Sequence, residues 1–103
     1  MRYSPDPVFG PSVQKSSRMI RKALNGKLPE KCFALVLPDG RNTLELFSPQ
    51  LLKQKYFKDY PGTVVGIAGS RDEGTELMAS LLTAAYRNEL LNDLKKLFPE
   101  EKA

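Results

Sequence analysis

Two short runs, Cys32-Phe33-Ala34-Leu35-Val36-Leu37 and Thr63-Val64-Val65-Gly66-Ile67-Ala68, are apolar almost without a break. A strand with one wet face alternates apolar and polar residues, whereas a strand apolar at nearly every position is covered on both faces. Both runs are strand-sized, and the second is rich in β-branched residues. They read as interior strands of one sheet, and the rest of the chain must supply its edges and its cover. With 103 residues there is room for one domain with one modest core.

The remaining elements follow from caps and punctuation. Ser12 to Asn25 reads as a helix, capped by Ser12 and stopped at Asn25-Gly26. Val13, Met19, Ile20, Ala23 and Leu24 fall on one arc of it, and Lys15, Arg18, Arg21 and Lys22 on the other. Residues 32–47 form a hairpin around Pro38-Asp39-Gly40, with Leu44 and Leu46 inward and Thr43 and Glu45 outward. Ser48-Pro49 starts a short helix that runs to Phe57, with Leu51, Leu52 and Tyr56 inward. Ser70 and Glu73 have capping-box spacing at the start of the longest helix. Its core stripe is Leu77, Leu81 and Ala85 beside Met78, Leu82 and Tyr86. A further short helix after Asn92-Asp93 ends at Pro99.

The order is α-β-β-α-β-α, an α+β layout. The expected sheet is small and mixed, of three strands or slightly more, with helices mostly on one face. A right-handed crossover through 49–57 lays 63–68 parallel to 42–47. Residues 1–11, with Pro5, Pro7, Gly10 and Pro11, read as a Pro-rich arm packed on the domain. Residues 12–99 form the α+β domain and 100–103 a charged tail.

Composition removes classes of chemistry. The chain has no His, which excludes imidazole bases, Ser-His and Cys-His pairs and His-containing zinc sites. Its single Cys, Cys32, lies in an apolar strand and reads as a small core hydrophobe, with no internal disulfide and no thiolate metal cluster. No catalytic motif, cofactor box or metal-ligand pattern is present, so the expectation is a protein that is not an enzyme and holds no cofactor. An unpaired thiol without a secretory leader fits the cytoplasm. No apolar run reaches the length of a membrane span.

Four surfaces are candidate sites. No acid occurs between Asp6 and Glu30, where Lys15, Arg18, Arg21, Lys22 and Lys27 lie; that segment carries +5 against +4 for the whole chain. Such a face suits nucleic acid, although a merely solvated helix face is the alternative reading. Gly69, Ser70 and Arg71 stand at a strand-to-helix junction where backbone N–H groups and a guanidinium suit an anion. The competing account is that Gly66 lets a helix approach the sheet and Gly69 makes the turn, with Asp72 and Glu73 taking the same donors. Leu91, Leu94, Leu97 and Phe98 extend the apolar pattern beyond what one helix turns inward, which suits a protein partner or a homo-oligomer. Tyr56, Phe57 and Tyr60 cluster with Lys53, Lys55 and Lys58, and an exposed Tyr56 or Tyr60 would suit a protein interface.

Val65-Gly66-Ile67-Ala68, then Ser70-Arg71-Asp72-Glu73 and Glu76-Leu77, resembles the C-terminal half of small uncharacterised bacterial proteins: strand, Gly-Ile-Ala, polar turn, helix. The resemblance covers about residues 60–98. It implies a stand-alone bacterial α+β domain and carries over no catalytic or binding residue. The leading expectation is a small non-enzymatic binding or accessory module acting through protein contacts. Nucleic-acid binding through the basic helix is the second, and a small anionic ligand at 66–71 the third.

Overall fold

A computed structural model describes residues 1–98. The charged tail and Pro99 lie outside the described residues. The chain runs β1 (Arg2–Phe9), α1 (Pro11–Gln14), α2 (Ser17–Leu24), β2 (Phe33–Pro38), β3 (Glu45–Phe47), α3 (Pro49–Leu52), α4 (Lys55–Lys58), β4 (Gly62–Ala68) and α5 (Arg71–Arg87), then a 3-10 turn, Leu94–Leu97. One sheet of four strands has the order β1-β4-β2-β3.

The two apolar runs are the interior strands, as expected. β2 pairs antiparallel with both β3 and β4, so β4 runs parallel to β3 with β2 between them. Leu35, Val36, Val64, Val65 and Ile67 are at most 1% exposed. Each such side chain is worth roughly 1.5–3 kcal/mol of burial.

Strand number and helix placement differ from the sequence reading. The fourth strand is the Pro-rich segment, which pairs in parallel with β4 at the sheet edge. Prolines are compatible with an edge strand where the ladder is interrupted. The register jumps from Tyr3 opposite Val64 to Val8 opposite Gly66, so Ser4-Pro5-Asp6-Pro7 bulges out against Val65 alone. The buried Ser4 Oγ accepts from the Asp6 N–H at 3.3 Å and holds the bulge. Helices cover both faces rather than one. Val13, Ala23, Ala34, Val36, Val64 and Ile67 form one core, completed by Met19 and Ile20 of α2, Leu52 of α3 and Phe57 of α4. Leu35, Val65, Ala85 and Leu94 form the other, beneath Leu77, Met78 and Leu81 of α5. Strands apolar on both faces require both layers.

Two expected helices are each broken in two. Residues 12–25 divide at Lys15-Ser16, because the Ser16 side chain accepts from the Met19 N–H and starts α2 afresh. Leu24, expected inward, is 57% exposed. Residues 50–57 break at Gln54, and the new start aims Phe57 at Phe47, ring centroids 5.3 Å apart. Tyr56 thereby turns outward and is 74% exposed.

Candidate functional site

The basic segment is shaped at both ends by local chemistry. Ser16 fixes the start of α2, and Gly26, at φ +74°, closes it. The Gly26 N–H donates to the Ala23 carbonyl and the Lys27 N–H to the Lys22 carbonyl, both at 3.0 Å. This is a Schellman closure, which needs a residue comfortable at positive φ. It folds Lys27 back beside Lys22. Ala23 is buried, and Met19 and Ile20 are half-buried on the inner side.

The outer side, with the loop through Glu30, encloses an open concavity of about 540 Å³. Arg18, Arg21, Lys22 and Lys27 line it, with Asn25 and Glu30. Lys15, at the end of α1, does not line it. Four of the five cations singled out from the sequence thus converge on one groove. Among the described residues the ion pairs are Arg2–Asp39, Arg41–Glu45 and Lys96–Asp93, and none involves residues 15–27. The groove therefore holds four cations against one carboxylate, and none of the four is in an ion pair with a described residue.

The strand-to-helix junction is built differently. Ser70 Oγ accepts from the Glu73 N–H at 3.2 Å, one half of a capping box. The other half is replaced: the Glu73 carboxylate accepts from the Gly69 N–H at 3.1 Å and from the Ser12 hydroxyl at 2.9 Å. It thus ties the start of α5 to the start of α1, at neighbouring ends of two parallel strands. A Cβ at Gly10 or Gly69 would overlap Glu73 or Ser12. The Arg71 guanidinium lies 5.4 Å from the Phe33 ring centroid. At Gly66 a Cβ would stand 3.2 Å from Leu77, so this glycine lets α5 close on the sheet. An anion at Gly69, Ser70 and Arg71 would have to displace the protein's own carboxylate. Cys32 is buried nearby, and burial together with the Glu73 charge pushes its thiol pKa up. The thiol is thus held in its weakly nucleophilic protonated form.

The C-terminal leucines are largely absorbed. Glu89, at φ +57°, ends the run of α5 and turns the chain back. Leu94 is buried, while Leu90, Leu97 and Phe98 are half-buried against the α5-side core. Only Leu91 of the four expected interface residues is exposed, at 44%. Asn42 secures this return: its Nδ2 donates to the Leu91 carbonyl and its Oδ1 accepts from the Leu94 N–H, both at 2.7 Å.

A second concavity, about 670 Å³, lies between Ser4-Pro5, the 38–42 turn and residues 92–98. Its charged groups largely engage their neighbours, Arg2 with Asp39, Arg41 with Glu45 and Asp93 with Lys96. Among the described residues no group of three His, Cys, Asp or Glu is placed to hold a metal ion, and no helix is long and apolar enough to cross a membrane. The chain matches no protein-family model, no curated protein and no solved structure. What stands is a class: a four-stranded mixed sheet between two helical layers, with a cationic groove on one of them.

Proposed function

We propose that this chain is a binding module, not an enzyme, and that the α2 groove binds the phosphate backbone of a nucleic acid. The observation that carries the reading is the convergence of Arg18, Arg21, Lys22 and Lys27 on one concavity with no ion pair among them. Cations left unneutralised side by side repel one another, and a polyanion relieves that repulsion while releasing its condensed counterions. Arginines at 18 and 21 add planar forks suited to phosphate oxygens.

Four phosphate contacts give a slope of about −3.6 for log affinity against log salt on duplex DNA. Fluorescence anisotropy with labelled oligonucleotides between about 50 and 200 mM salt measures it. The triple change Arg18→Glu, Arg21→Glu, Lys22→Glu should abolish binding while leaving the circular dichroism spectrum unchanged. Absence of binding at the low-salt end, or indifference to the triple change, refutes the proposal.

A second reading, protein contact in a cytoplasmic accessory module, is favoured by a different observation. Leu82 and Tyr86, one turn apart on α5 and expected in its core stripe, are instead 36% and 71% exposed, and Leu91 is exposed beyond the end of that helix.

A further inference from the structure

The sheet separates charge. The layer made by residues 11–31 and 48–61 holds nine of the chain's 16 Lys and Arg, against only Glu30 and Asp59. Residues 71–98, on the other face, hold four cations against five acids. Two basic segments far apart in sequence therefore share one side of the molecule: the α2 groove, and α3–α4 with Lys53, Lys55 and Lys58. Both pack on the same core, and the Met1 backbone nitrogen, at the head of β1, donates to the Lys58 carbonyl at 2.7 Å.

Among the described residues, Tyr56 is the most exposed large hydrophobic side chain, at 74%. It is not a loose one. Its ring meets the Phe57 ring edge-on, centroids 5.1 Å apart, and Phe57 is in turn set against Phe47 and Tyr60. The result is an aromatic ring buttressed from below, open above, and flanked in sequence by lysines on both sides. An α2 groove alone has no aromatic face and cannot distinguish a duplex from a single strand by stacking; Tyr56 supplies that face.

We propose that the ligand is a single-stranded nucleic acid, with Tyr56 stacking a nucleobase while Lys53, Lys55 and Lys58 take flanking phosphates. The proposal rests on the nucleic-acid reading of the α2 groove and specifies its ligand. Base stacking on an aromatic side chain is tolerant of sequence, because every base has a π-face, so little sequence preference is expected.

The test compares labelled single-stranded and duplex oligonucleotides of about 12 nucleotides with the full chain and its variants. The wild type should prefer the single strand. Tyr56→Ala should weaken single-strand binding about five- to hundredfold, leave duplex binding and the salt slope unchanged, and leave the melting temperature unchanged. Tyr56→Phe should retain the affinity, since the ring and not the hydroxyl acts. Lys53→Glu with Lys58→Glu should lower the single-strand salt slope by about 1.4, the share of two phosphates. Duplex binding equal to single-strand binding, with Tyr56→Ala silent, overturns this inference and leaves the groove reading standing. Failure to bind either oligonucleotide, including capture by anionic lipid vesicles instead, overturns both.

Discussion

Asn42 is a single side chain whose loss should release the whole C-terminal return. Its amide makes two 2.7 Å hydrogen bonds to the backbone of Leu91 and Leu94, from a loop some fifty positions away in sequence. The bond to the Leu91 carbonyl is exposed, and water can replace it, so it contributes about 0.5 kcal/mol. The bond from the Leu94 N–H is part-buried beneath a residue that is 3% exposed. Leaving that donor without an acceptor costs roughly 1–2 kcal/mol. Asn42→Ala should therefore destabilise the chain by about 2 kcal/mol, a melting shift of roughly 8–16 °C for a domain of this size. Leu94→Ala should cost about 2–5 kcal/mol through the cavity it leaves. The double variant should lose less than the sum, because both act on the docking of one segment. Urea unfolding followed by circular dichroism measures the totals, and native-state hydrogen exchange resolves where they fall. Protection should drop selectively over residues 90–97 in Asn42→Ala. A loss under about 0.5 kcal/mol, with exchange in that segment unchanged, would show that the hydrophobic contacts hold the return by themselves and that the clamp is incidental.

Two further outcomes are expected. The folded state raises the Cys32 pKa, so it binds a proton that the unfolded chain has lost at alkaline pH. Stability from this group is full below the unfolded thiol pKa of roughly 8.5 and falls as pH rises above it, and Cys32→Ala should remove that step from a pH series of urea midpoints. If the outer face of α5 serves a protein contact between copies, sedimentation velocity should show concentration-dependent association that Leu82→Glu with Leu91→Glu abolishes; a monomer at every concentration sinks that reading.

How far the fold could be read depended on whether a signal was local. The interior strands, the Pro49 start, the Asn25-Gly26 stop and the Ser70 cap are each written in a few neighbouring residues, and the structure has them. The Pro-rich first strand is not local. Pro5 and Pro7 argue against a strand until the bulge that accommodates them, opposite Val65, is seen. The break at Gln54 likewise depends on Phe57 reaching Phe47, whereas the break at Ser16 is a local cap overridden in the reading by the apolar arc that runs across it. The cations of the groove were visible as a run without acids. That they share a side of the molecule with Lys53, Lys55 and Lys58 was not, because only the layering of the sheet puts α2 and α4 on one face. Nor was the engagement of Glu73, since its partner Ser12 comes from the other end of the chain. Leu91, Leu94, Leu97 and Phe98 read as surplus because a straight helix cannot bury them, whereas a left-handed Glu89 bends the chain so that all but Leu91 pack on the core.

The prolines of β1 also bear on what this sheet cannot do. A sheet edge with free N–H and C=O groups is a template on which another chain can polymerise. Here one outer edge is β1, where Pro5 and Pro7 lack donors and four residues leave the ladder, and the other is β3, three residues long. Neither offers a long, flat row for an incoming strand. Strand-to-strand aggregation is thereby disfavoured at both edges.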